Sequence, residues 1–224
     1  MFEEITIELF KGLLTTFELF IITLVIALPL GLVITFCSLS KVRLVSWLAK
    51  TFVWIIRGTP LMLQILAITF IPMIFNIKNL EIANFLGVKV SDLNFIYVVI
   101  AFIINYAAYF SEIYRGGILA ISKGQYEAGQ VLGMNRIQIF FNVIFLQVVK
   151  KIITPMSNEI ITLVKDTALA RVVGVVEIIM VAEDSVNKLV AVWPIFYSSI
   201  FYLVFVALLT VIFNLLEKKL SYFN

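Results

Sequence analysis

The fold class that this sequence predicts is all-α and membrane-integral, with five transmembrane helices in a single domain spanning residues 1–224. Three observations predict it. Of the 224 residues, 62% are hydrophobic and 14% charged, with a mean hydropathy of +1.08, far from the soluble average. Apolar runs recur that reach the roughly 20 residues a helix needs to cross a bilayer core of about 30 Å. The charges gather between those runs.

Residues 1–10 set Ile5, Ile7 and Leu9 against Glu3, Glu4 and Glu8, which reads as an interfacial segment; its acidity argues against a cleavable signal peptide. Leu13 to Leu39 forms the first span, with a kink expected at Pro29 and Gly31. A basic loop with Lys41, Arg43 and Lys50 follows. The second span runs from Thr51 to Phe75. Near its start, Arg57-Gly58-Thr59-Pro60 should break the helix, because proline removes a donor and clashes with the preceding turn. Asn76 to Asp92 is a polar loop. Leu93 to Ile118 is the third span, carrying Asn105, Tyr106, Tyr109 and Glu112. Ile137 to Val164 holds an interfacial stretch and the fourth span, divided at Lys150-Lys151 and Pro155. Lys165 to Lys188 is too charged to cross, and Val190 to Leu216 is the fifth span.

Between the third and fourth spans lies a soluble-looking insert, Ser122 to Arg136. Ser122 and Gln125 have capping-box spacing, so a helix should start there. Ala128, Val131 and Leu132 form a narrow apolar stripe, and Gly133 stands where a left-handed cap would end the helix. Such a rod needs a surface: a soluble partner, or the lipid headgroups, for which its stripe is modest and its glycines numerous.

Placing the loops after the first and third spans and the C-terminus on one side collects Lys41, Arg43, Lys50, Arg57, Arg115, Lys123, Arg136, Lys150, Lys151, Lys218 and Lys219 there, eleven of the 17 basic residues. That side should be cytoplasmic. The N-terminus is then expected outside, with the C-terminus and the insert in the cytoplasm.

Function classes fall away by composition. Histidine is absent and Cys37 is the one cysteine, which removes histidine-dependent catalysis, histidine–zinc sites and cysteine metal clusters. No phosphate loop is present. No catalytic residue, metal ligand, cofactor site or nucleic-acid partner is therefore expected, and any ATP would be used by another subunit.

Glu127-Ala128-Gly129, with Gly133 six residues after the glutamate, resembles the cytoplasmic EAA loop of ABC-importer permeases. Four further segments resemble the permeases of polar amino-acid importers: Arg57 to Leu61 with Gln64, Glu112 to Ile118, Lys123 to Ala128, and Lys165 to Leu169. One departure is visible, since Leu146-Gln147 stands where the family usually has Pro-Gln; the helix is therefore expected to bend less, or only at Pro155.

The resemblance implies a type I ABC-importer permease fold with a cytoplasmic coupling helix in residues 122–136, working by alternating access in a bacterial cytoplasmic (inner) membrane. The implied partners are a second permease copy or close relative, two ABC ATPase subunits binding ATP and magnesium, an extracellular or periplasmic amino-acid-binding protein, and the bilayer. Docking on the ATPase would involve Gln125, Tyr126, Glu127, Ala128, Gly129, Leu132, Gly133 and Met134.

A second group lies inside the membrane. Pro155, Asn158, Glu159, Thr162 and Asp166 share one helix face, and intramembrane carboxylates usually face a cavity or a partner. One reading is a substrate pocket of Asn158, Glu159, Thr162 and Asp166, joined by Gln64, with Glu159 pairing a cationic solute group; arginine, lysine or histidine would fit. The other is inter-helix glue. Glu112 and Arg115, at i, i+3, should form an interfacial ion pair, and the neighbours Lys165 and Asp166 a pair at the outer mouth. The rival function, an ATP-independent transporter or channel, predicts inverted-repeat halves, which the sequence does not show.

Overall fold

The computed structural model describes residues 2–220, and among these every regular element is a helix. The first, α1, is one rod from Phe2 to Ser38. The acidic start is therefore part of the span-length helix. The reason is packing: Ile5 and Leu9 bury against Ile178, Val181 and Ala182 of a later helix, and Gly12 lets the backbone of Ile178 approach.

The broken second span is sharper than expected. Helix α2 (Arg43–Gly58) and helix α3 (Leu61–Ile74) are bent by 106° at Thr59-Pro60. The loop after α3 contains a short helix, α4 (Asn79–Leu86), closed by Gly87. Helix α5 covers Leu93–Leu119. The insert forms α6 (Lys123–Val131), followed by α7 (Arg136–Ile139), a π turn over Phe140–Ile144, and α8 (Phe145–Asp166). Neither Lys150-Lys151 nor Pro155 divides α8; the interruption of the regular ladder is the π turn. A 3₁₀ stretch, Thr167–Val173, leads to α9 (Ile178–Leu189) and α10 (Trp193–Leu220).

Four helical stretches, residues 2–38, 90–119, 136–173 and 193–220, are long and apolar enough to cross a membrane. A fifth crossing exists only if α2 and α3 count together as one broken span.

Helices α1 and α5 run side by side at the centre. A Cβ on Gly31 would sit 2.9 Å from the Phe110 Cβ and 3.0 Å from the Ala107 carbonyl. The side chain of Thr35 donates to the Ser111 carbonyl at 2.9 Å. Small residues at a helix contact are how packing holds together when lipid supplies no hydrophobic drive. Around this seam Phe102, Tyr106 and Phe110 of α5 pack with Leu19, Ile65, Leu163 and Val164 into the main core. Helix α10 leaves most of its apolar surface outward.

Helix α9 is held at its start by Glu177, whose carboxylate accepts from the Ile179 and Met180 amides, both at 2.8 Å. Tyr202 donates to the same carboxylate at 3.2 Å. Burial pushes the Glu177 carboxyl above its ordinary range, and these hydrogen bonds partly oppose the shift.

Candidate functional site: a projecting helix and an intramembrane polar cluster

Helix α6 projects between the two spans α5 and α8. Its C-terminal cap forms as expected: Gly133 adopts φ 73°, its N–H reaching the Gln130 carbonyl at 2.9 Å and the Met134 N–H the Gly129 carbonyl at 3.0 Å. This is a Schellman motif, and glycine takes the left-handed position without a Cβ penalty.

The N-terminal cap differs from expectation, because Ser122 makes no side-chain cap. The capping box is one helix later, where Asn135 and Gln138 exchange hydrogen bonds of 2.9 Å. Gln125 is instead engaged by Gln147, whose amide donates to its carbonyl at 3.2 Å.

The expected docking residues divide into two sets. Tyr126, Glu127, Ala128, Leu132 and Gly133 are exposed, Leu132 by 78%. Gln125, Gly129 and Met134 point inward and hold the helix from beneath. Met134 packs on the small core of Ile121, Ile139, Ile144 and Val148, and buried Gly129 lies so close to Ile139 that a Cβ there would stand 2.7 Å from its Cγ1. Val131, 87% exposed, belongs to the presented surface although the docking set omitted it; its place on the apolar stripe was the signal.

Of the expected intramembrane residues, Gln64 stands at the α2–α3 break and the others on α8. Gln64 is a clasp rather than an open ligand. Its amide nitrogen donates to the Ile56 carbonyl at 2.8 Å and to the Thr59 carbonyl and hydroxyl at 3.1 and 2.8 Å. Its oxygen accepts from Asn105 at 3.0 Å. These bonds satisfy backbone carbonyls that the break leaves without helical partners.

Asp166 is half-buried and accepts from the Tyr106 hydroxyl of α5 at 2.6 Å, a partner not expected from sequence. Glu159 is half-buried, while Asn158 and Thr162 face outward beside it; Thr162 donates back to the Asn158 carbonyl at 3.0 Å. Arg57, a residue not assigned to the pocket from sequence, lies over the Tyr109 ring, its guanidinium carbon 5.1 Å from the centroid, and stands 3.8 Å from Glu112. Glu112 is held by Arg115 through two hydrogen bonds of 2.9 and 2.6 Å.

Taken together, a span-length bundle with a discontinuous helix, ionisable groups beside the break and a projecting helix is the form of a transport protein. Residues 27–222 match the family described as binding-protein-dependent transport system inner membrane component. The chain belongs to this family: it is the membrane-embedded permease component of an ABC importer, the non-catalytic subunit.

Among curated relatives, the chain is 33% identical to the L-cystine transport system permease protein TcyB of Bacillus subtilis, over 94% of this chain and 85% of that one. It is 32% identical to the arginine transport system permease protein ArtQ of the same organism, over 94% and 91%. Identity to the glutamine transport system permease protein GlnP of Escherichia coli is 30%, over 95% and 93%. A solved amino acid ABC transporter with histidines superimposes with a TM-score of 0.84 at 27% identity, covering 97% of this chain and 96% of that one. The inward-facing MetNI methionine ABC transporter shares the fold, with a TM-score of 0.67 at 16% identity over 96% and 95%.

Proposed function

We propose that this chain forms the translocation pathway of an ATP-driven importer of polar amino acids, with preference for basic ones. The supporting observation is the polar ridge of α8, where Asn158, Glu159 and Thr162 lie together on a helical stretch long and apolar enough to cross a membrane. An intramembrane carboxylate is retained where it faces a partner or a solute, and Glu159 would pair the cationic end of the solute. The relatives named above are named for cystine, arginine and glutamine, which supports amino acids as the class.

The exposed face of α6 would dock on an ABC ATPase that carries ATP and magnesium. Two permease copies, two ATPase subunits and an external amino-acid-binding protein complete the assembly, in a bacterial inner membrane with the N-terminus outside and the C-terminus cytoplasmic. ATP-driven closure of the ATPases would draw the two α6 helices together and open the pathway outward, a rigid-body coupling.

The test is reconstitution of the chain with the ATPase that co-purifies with it. ATP hydrolysis should rise more with arginine than with glutamine, and Glu159→Gln should abolish that preference. Glu127→Lys or Gly133→Asp should let ATP hydrolysis proceed while uptake fails. Uptake that proceeds without ATP would sink the importer reading in favour of a secondary transporter.

A further inference from the structure

We infer that the basic cavity between the start of α8 and the end of α10 binds the phosphate headgroup of an anionic phospholipid. The cavity holds about 410 Å³. Its polar wall is Asn142, Gln147, Lys150 and Lys151, and among the described residues no acid lines it. Its apolar wall is Val143, Leu146 and Leu220. Two ammonium groups with amides beside them suit a phosphate, and the aliphatic side chains suit the first carbons of the acyl chains. The combination fits an anion that is itself amphipathic.

The level of the cavity follows from helix length. Helix α10 has 28 residues and so runs about 42 Å, longer than a bilayer core of about 30 Å. Its charged end, with Glu217, Lys218 and Lys219, is the end that does not belong in hydrocarbon, and Leu220 beside it closes the cavity. Lys150 and Lys151 therefore meet α10 at headgroup level. Basic pockets between spans at that level attract anionic lipids.

A second observation points to a lipid in place of a free ion. Phe140, Phe141 and Phe145 cluster at the π turn and the first residue of α8, with ring centroids 5.1 to 6.4 Å apart. All three are exposed, Phe141 by 60%. Phe141 and Phe145 each stand one position before a residue that lines the cavity, Asn142 and Leu146, so the aromatic surface borders it. Exposed apolar surface of this kind marks contact with a membrane or a partner, and a basic cavity edged by it suits the boundary between headgroups and acyl chains. Gln147 lines the cavity and also donates to Gln125 of α6, which places the headgroup at the foot of the projecting helix.

The experiment is lipid retention by the purified full-length chain, read by native mass spectrometry during titration with phosphatidylglycerol or phosphatidylcholine. The wild type should retain phosphatidylglycerol in preference. Lys150→Gln with Lys151→Gln should weaken that lipid by roughly thirtyfold, the effect of two lysines at an anionic surface, and leave phosphatidylcholine unaffected. Lys150→Arg with Lys151→Arg should keep the preference. Removing the same charge elsewhere, by Lys78→Gln with Lys89→Gln, should also keep it; an equal loss there would be a general charge effect and would overturn the site. Inorganic phosphate should bind roughly a hundredfold more weakly than the lipid, having no acyl chain to bury; equal affinity makes this a free-anion site, and the assignment is wrong. Unchanged phosphatidylglycerol retention in the glutamine pair overturns it as well, and should the oligomeric mass fall at the same time, the cavity is a contact between copies instead.

Discussion

The amide of Gln147, in the first turn of α8, donates to the Gln125 carbonyl of α6 at 3.2 Å and to the Val143 backbone carbonyl in the π turn at 2.8 Å. One side chain thus ties the projecting helix to the start of a membrane span. It also satisfies a carbonyl where the ladder shifts from α to π spacing, an arrangement frequent at functional sites. This is the place where the sequence has leucine before Gln147 in place of the proline usual in similar permeases.

Gln147→Ala should loosen α6 without unfolding the spans. The expected result is transport per ATP hydrolysed falling severalfold while thermal stability drops by about 1 kcal/mol, the net worth of a hydrogen bond. Reconstituted uptake and ATPase assays measured together decide it. Unchanged coupling would show that the Gln125 link carries no force.

The α1–α5 seam is intolerant of added volume. Gly31→Leu would drive a side chain into Phe110 and the Ala107 carbonyl, from which even a Cβ is separated by only 2.9 and 3.0 Å. Overpacking of this kind costs about 1–3 kcal/mol or more, and at a backbone contact the upper end is expected. Gly31→Ala should lower the melting temperature in detergent, and Gly31→Leu should abolish the monodisperse peak on gel filtration.

Tyr106 and Asp166 should behave as a coupled pair. Tyr106→Phe leaves a half-buried carboxylate without its 2.6 Å donor, a loss of about 1–3 kcal/mol. The double variant Tyr106→Phe with Asp166→Asn should cost less than the sum of the two single changes. Strict additivity in a denaturation cycle would contradict the interaction.

Glu177 predicts a pH dependence of stability. Burial raises its carboxyl above the ordinary 4.5, so the folded state binds the proton more tightly than the unfolded chain. The stabilisation from that proton is complete below pH 4.5 and is lost as pH rises through the raised value. The melting temperature should therefore decline over that window in the wild type, and Glu177→Gln should flatten the decline. Parallel profiles for the two proteins would remove Glu177 as the source.

Reading the chain from its sequence depends on which effects are local. The spans were visible because a bilayer imposes a length and an apolar content on any helix that crosses it, and Leu93–Leu119 matches the expected third span almost end to end. The break at Thr59-Pro60 and the left-handed cap at Gly133 were visible for the same reason, since proline and glycine act on their own neighbours. The capping box falls at Asn135 and Gln138, one helix later than Ser122 and Gln125 suggest; the Gln125 side chain is engaged by Gln147, a contact from another helix that local spacing does not report.

The sequence by itself determined that this is a helical membrane protein with a polar projecting insert, and that any chemistry requiring histidine or a phosphate loop lies elsewhere. The tertiary structure alone decided that Asn105 of α5 meets Gln64 beside the α2–α3 break and that Tyr106 holds Asp166. These two pairings join residues 41 and 60 positions apart. No periodicity along one helix reports which face of another it will meet; that follows from packing, where small residues such as Gly31 allow two helices to close and so set the register of every polar group they carry.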